Sequence, residues 1–195
     1  VINGAAVTMN SSSGYSLGAG QVNVDGTSAL TIAGVIQDGA IQTSLNKSGS
    51  GHLTLSGANT YSGGTTVSAG TLIGSTTSLQ GAINNNAAVQ FNQSTDGTYA
   101  GVMSGSGSLT KLGSGSVTLS GANTYTGATN ISEGTLVLTG SLASNTTLAA
   151  GAMLQGDGTI NGSLTNAGNV QPATGSTRTN LTVTGNYVGQ NGTFT

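Results

Sequence analysis

Cysteine is absent from this 195-residue sequence, proline occurs once (Pro172), and only 4% of the residues are charged. Each scarcity excludes something. Without cysteine there is no disulfide framework, no thiolate metal site and no cysteine nucleophile. In an exported chain the same absence avoids crosslinking before translocation. An ordinary soluble domain carries about 25% charged residues. Here the basic residues are Lys47, Lys111 and Arg178 and the net charge is −2. Three cations cannot neutralise a run of phosphates, so nucleic acid is not a partner. Aromatics make up 4%, too few for the girdles of a transmembrane barrel, whose strands also run about ten residues. No apolar run approaches the roughly 20 residues of a membrane-spanning helix. The sequence begins without an initiator Met or a signal peptide and reads as a segment excised from a longer protein.

Glycine is plentiful, at 34 residues, and Ser, Thr, Asn and small aliphatics supply most of the rest. A flexible linker has a similar composition but lacks regularly spaced Leu, Val and Ile, which recur here throughout. The chain is also internally repetitive. Residues 47–72 and 111–136 align at an offset of 64 without gaps, with 18 of 26 positions identical. Within each copy apolar and polar residues alternate: Leu53-Thr54-Leu55 and Val117-Thr118-Leu119, then Thr65-Thr66-Val67 and Thr129-Asn130-Ile131. This is a period-two signal cut by glycine every few residues, with no helical stripe. Strands so short do not survive as isolated hairpins, but they do if successive coils stack and bury one column of aliphatic side chains. The expectation is an all-β, single-stranded right-handed parallel β-helix with strands of about three to six residues and coils of about 20–25. Leu53, Leu55, Val67, Leu72, Val117, Leu119, Ile131 and Leu136 should be buried. Stacked asparagines could form ladders inside the coils. Pro172–Asn180 reads as a loop leaving the regular coils.

The words Leu55–Tyr61 and Leu119–Tyr125, both Leu-Ser-Gly-Ala-Asn-Thr-Tyr, carry a resemblance. With their flanks they resemble the passenger-associated transport repeat of autotransporters, the type V secretion proteins of Gram-negative bacteria. Residues 151–170 and 181–187 resemble the autochaperone region of pertactin-like passengers. The resemblance implies a surface protein, anchored at the Gram-negative outer membrane and secreted through its own C-terminal β-barrel, which this sequence does not contain. It also implies a division into a stalk, residues 1–132, and an autochaperone-like region, residues 133–195, that precedes the barrel and seeds folding. The function expected is a non-catalytic stalk and folding module. The alternatives are an adhesin or self-association module that meets another copy or a host surface through flat Thr/Ser/Asn faces, or the stalk fragment of a surface protease or esterase.

No residue is assigned a catalytic, cofactor or metal role. Gly14-Tyr15-Ser16-Leu17-Gly18 satisfies the nucleophile pattern G-x-S-x-G, with Asp25 or Asp38 and then His52 following in hydrolase order. That mechanism needs a strand-to-helix turn and an oxyanion pocket, which this pattern does not provide, and the second repeat has Ser116 where the first has His52. The five acids, Asp25, Asp38, Asp96, Glu133 and Asp157, each precede a glycine and read as turn residues rather than paired catalytic carboxylates. Gly156-Asp157-Gly158 has part of a calcium-roll pattern but occurs once, without partners to complete a coordination shell. Lys47 and Lys111 are expected to solvate the coil surface. Tyr61 and Tyr125 read as packing anchors, with a sugar-binding platform as the alternative.

Overall fold

Alternation over three to five residues, broken by glycine, turns the chain every few residues and leaves each strand with one apolar side to bury. In the computed structural model these sides meet inside a right-handed parallel β-solenoid, with no helix among the described residues. The structure describes residues 2–3, 6–9, 19–25, 28–172 and 180–195, the first three stretches as backbone only. One face is a ten-stranded sheet from Ala6–Met9 to Tyr187–Gly189 whose nine pairings are all parallel. A second face begins as a six-stranded sheet ending at Met103–Ser104. It continues as a four-stranded sheet beginning at Ala122–Asn123. The two are joined where Thr124 N donates to Met103 O at 2.8 Å. The third face is a six-stranded sheet from Gly97–Tyr99 to Thr193–Phe194.

Strand after strand shows alternating burial. In the ten-stranded sheet Leu30, Leu53, Leu72, Val89 and Leu109 stack in register, followed by Thr129, Thr146 and Leu164, all buried. Each such aliphatic contributes roughly 1.5–3 kcal/mol of burial, and the column gains it at every layer except those of Thr129 and Thr146. The eight core positions expected from the sequence are all at most 1% exposed.

Dimensions differ from expectation. Strands run from two to seven residues. Successive layers are 17 residues apart between Leu72 and Val89 but 23 between Leu30 and Leu53, because both the connecting turns and the second-face strands, Ile83–Asn85 against Ser44–Ser48, differ in length. Pro172 is not loop: it ends the strand Asn169–Pro172 and pairs with Gly156. Residues 173–179 of the expected loop lie outside the described residues. The strands flanking residue 132, Thr129–Ile131 and Thr135–Leu138, are each paired to the coils before and after them.

The register also separates the two repeat copies around the axis. From Leu53 to Leu109, 56 residues on, the chain makes three layers and returns to the same column. The repeat offset is 64, which overshoots by one face: Val117 sits not above Leu53 but in the next sheet, paired with Gly97 and Leu136. The second copy is therefore the first, turned by one side of the solenoid.

Candidate functional site

Four polar groups of each repeat point into the coil: a lysine, an asparagine, a tyrosine and the threonine that the tyrosine bonds. In Leu45-Asn46-Lys47 and Leu109-Thr110-Lys111, alternation puts the lysine on the same side as the leucine. The expectation that these lysines solvate the surface is wrong: Lys47 is 0% and Lys111 1% exposed. Lys47 Nζ donates to Ser48 O, Gly49 O and Ala69 O at 2.8, 2.7 and 3.1 Å. Lys111 Nζ donates to Leu112 O, Gly113 O and Glu133 O at 2.9, 2.7 and 3.1 Å. An ammonium has three hydrogens, and here three carbonyls take them. Gly49 and Gly113 shape the corner at φ 76°. Gly70 and Gly134, in the next coil at φ 68° and 63°, give the ammonium room: a Cβ there would stand 2.8 and 2.9 Å from Nζ. Burial pulls the Lys111 pKa down, opposed by the charges of Glu133 and Asp96. The signal in the sequence was parity: a lysine two residues from a core leucine on one strand shares its face.

The asparagine of each Ser-Gly-Ala-Asn-Thr-Tyr word ties three coils. Asn59 Oδ1 accepts from Ile36 N at 2.7 Å while its Nδ2 donates to Ser78 O at 2.7 Å. Asn123 Oδ1 accepts from Met103 N at 2.9 Å and Nδ2 donates to Gly121 O and Ser141 O. Asn85 and Asn166 likewise bond main chain, accepting from Ala87 N and Gly168 N. These asparagines bond main chain where side-chain ladders were expected; the ladder contact seen joins Gln155 Nε2 to Gln171 Oε1 at 2.8 Å.

Tyr61 and Tyr125 are 2% and 0% exposed, so neither ring offers a sugar platform. Their hydroxyls bond Thr65 at 2.7 Å and Thr129 at 2.6 Å, and Thr129 continues to Ser144 at 2.6 Å. Burial drives both phenol pKa values up, that of Tyr125 to about 12. Thr146, next along that column, has an Oγ1 with no partner among the described residues.

The acids do more than turn the chain. Asp38 accepts from Thr43 N and reaches the next coil, accepting from Ser62 N at 3.1 Å and Ser62 Oγ at 2.7 Å. Asp96 accepts from Ser116 N at 2.7 Å, and Glu133 Oε2 from Gly113 N at 3.1 Å. The main-chain donors hold both aspartate pKa values below the ordinary carboxylate value. Asp157 is exposed between Gly156 and Gly158, and Asp25 ends a strand opposite Asn3.

Of the nucleophile pattern, residues 14–18, with Ser16, lie outside the described residues, as does Arg178. His52 is exposed at the start of the strand His52–Leu55, with the Asp38 carboxylate bonded instead to Thr43 and Ser62. Among the described residues no three His, Cys, Asp or Glu side chains gather as metal ligands. An open cleft of about 340 Å³ is lined by Thr76, Leu79, Gln80, Gly81 and Thr98 to Gly101. It holds no ionisable group but Tyr99, whose hydroxyl donates to Gly81 O at 2.8 Å.

The family model of the passenger-associated-transport-repeat matches residues 45–73 and 109–138, which hold both sets of inward polar groups. No curated protein and no solved structure matches the chain. The solenoid and its two repeats fit a segment of an autotransporter passenger.

Proposed function

We propose that the chain is a non-catalytic stalk and folding module of an autotransporter passenger, displayed at the surface of a Gram-negative cell. One observation carries this reading: the two repeat copies agree inside and differ outside. Six of their eight differences fall at positions that are not buried, such as His52/Ser116, Thr66/Asn130 and Ala69/Glu133; the other two are the aliphatic exchanges Leu53/Val117 and Val67/Ile131. A ligand-binding repeat would keep its outer side chains and present them on one face. These copies keep the lysine, asparagine and tyrosine that build the coil and face different ways. What is repeated is the means of stacking. The C-terminal region 133–195 is the autochaperone in this reading. It contributes Leu136, Leu138, Leu142, Leu148, Leu154, Ile160, Leu164 and Val170, all fully buried, and a stacked array needs one complete coil before neighbour contacts repay its formation.

The test joins the chain to a signal peptide and a translocator barrel in a Gram-negative host. Surface protease should reach the chain on intact cells, and deletion of residues 133–195 should leave 1–132 slow to fold and readily digested. Undiminished display of a folded 1–132 would overturn the folding role.

A second reading, self-association, is favoured by the outward row of the ten-stranded sheet. Thr31, Thr54, Ile73, Gln90, Thr110, Asn130, Thr147 and Thr165 lie along one registered line, polar at every position but Ile73. Cells displaying the segment would then clump, and arginine at Thr110 and Asn130 would disperse them.

A further inference from the structure

We infer that the corner after each lysine-bearing strand is a monovalent cation site of ammonium type, built from three main-chain carbonyls, and that the repeat's own lysine is its tethered occupant. Two carbonyls belong to the turn that follows the lysine: Ser48 and Gly49 in the first copy, Leu112 and Gly113 in the second. The third, Ala69 or Glu133, arrives 22 residues later on the next coil. The site is thus two-thirds formed by one coil and completed only when the following coil is seated in register. A one-residue slip of that coil would turn its carbonyl away and leave a desolvated ammonium short of one acceptor, which is heavily penalised in a buried setting. The lysine therefore senses correct stacking.

Two further observations support a built site. The rows around these lysines are otherwise occupied by residues that need no cage. Lys47 stands beside Val67, and Lys111 between Phe91 and Ile131, all three neighbours fully buried. An apolar residue fits the column, so the ammonium is there for the carbonyls. The second observation is the pair Gly70 and Gly134, each leaving open the space that a Cβ would take from Nζ. The site recurs on different faces with nearly the same distances, 2.8, 2.7 and 3.1 Å against 2.9, 2.7 and 3.1 Å, so it belongs to the repeat and not to one side of the solenoid. It holds independently of the secretion reading.

The test uses the whole 195-residue chain, which has two lysines. With lysine side chains labelled with ¹⁵N, both ammonium groups should give resolved N–H signals near neutral pH that exchange with water far more slowly than free lysine. Signals averaged with water, as for a free ammonium, would overturn the inference. This readout needs no variant. A second arm uses Lys111→Ala, which leaves the cage and a channel shaped like propylammonium. Its unfolding midpoint should fall by roughly 5 °C or more. Propylammonium should then raise it in a saturable way, and tetramethylammonium, which has no N–H to donate, should not. Equal effects of the two ions, or a variant as stable as the parent, would also overturn it.

Discussion

The two repeats are nearly one sequence placed on two different sets of faces. In the first copy the word from Ser56 to Gly64 crosses the third side without forming a strand, and Asn59 N meets Thr77 O in the turn above. In the second copy the same word crosses the second side. There Ala122–Asn123 is a strand, because the coil above offers the strand Ser141–Leu142 to pair with. The inward groups are indifferent to this change: lysine, asparagine and tyrosine make the same kinds of bond in both. Local sequence fixes what points in, and the neighbouring coil decides what counts as a strand.

The strongest way to break the equivalence is at Gly70 and Gly134. An alanine Cβ would stand 2.3 Å from the Gly51 carbonyl in the first copy and 2.3 Å from that of Gly113 in the second, at positive φ in both. Gly70→Ala and Gly134→Ala should each lower stability by about 3 kcal/mol or more, by amounts that agree within about 1 kcal/mol, as measured by urea unfolding. A large cost in one copy alone would mean that the face, not the corner, sets the requirement.

A smaller and unequal effect is expected at the tyrosines. Removing the Tyr61 hydroxyl leaves buried Thr65 without its bond, whereas Thr129 keeps Ser144 when Tyr125 loses its own. Tyr61→Phe should therefore cost about 2 kcal/mol and Tyr125→Phe about 1 kcal/mol. Equal costs would show that the Thr129–Ser144 bond does not compensate.

Much of this is legible in the sequence. Alternation around Leu53-Thr54-Leu55 placed the core, and the offset of 64 announced a solenoid. The rotation of the copies was hidden because it depends on turn lengths, such as the segment between Gly74 and Ile83, that carry no periodic signal. The charge of Lys47 points to the surface, but parity outranks it: Leu45-Asn46-Lys47 puts the lysine on the leucine's buried side. Asp38 looks like a local turn residue in the sequence because its partner in the next coil, Ser62, lies 24 residues away, a distance set by the coil and not by the chain. In a solenoid the polar partners follow the layer spacing, which is the quantity that varies most here.

The mildest difference between regions lies in their acids and appears only at low pH. Asp38 accepts three bonds from two residues, Thr43 and, on the next coil, Ser62, whereas Asp96 is held by Ser116 alone. Main-chain bonds lead the lowering of both pKa values from the ordinary 3.8. A carboxylate with a depressed folded pKa adds stability that is fully present above its unfolded pKa and is lost as pH falls through the folded value. Both contributions should thus be intact at pH 5 or so and fade below about pH 4. Since both carboxylates face solvent, salt should weaken the effect. Asp38→Asn should flatten the acid limb of the unfolding midpoint against pH more than Asp96→Asn, because it removes the better-bonded group. If the Asp38→Asn curve ran parallel to that of the parent chain down to about pH 2, the carboxylate would not be tying those coils together.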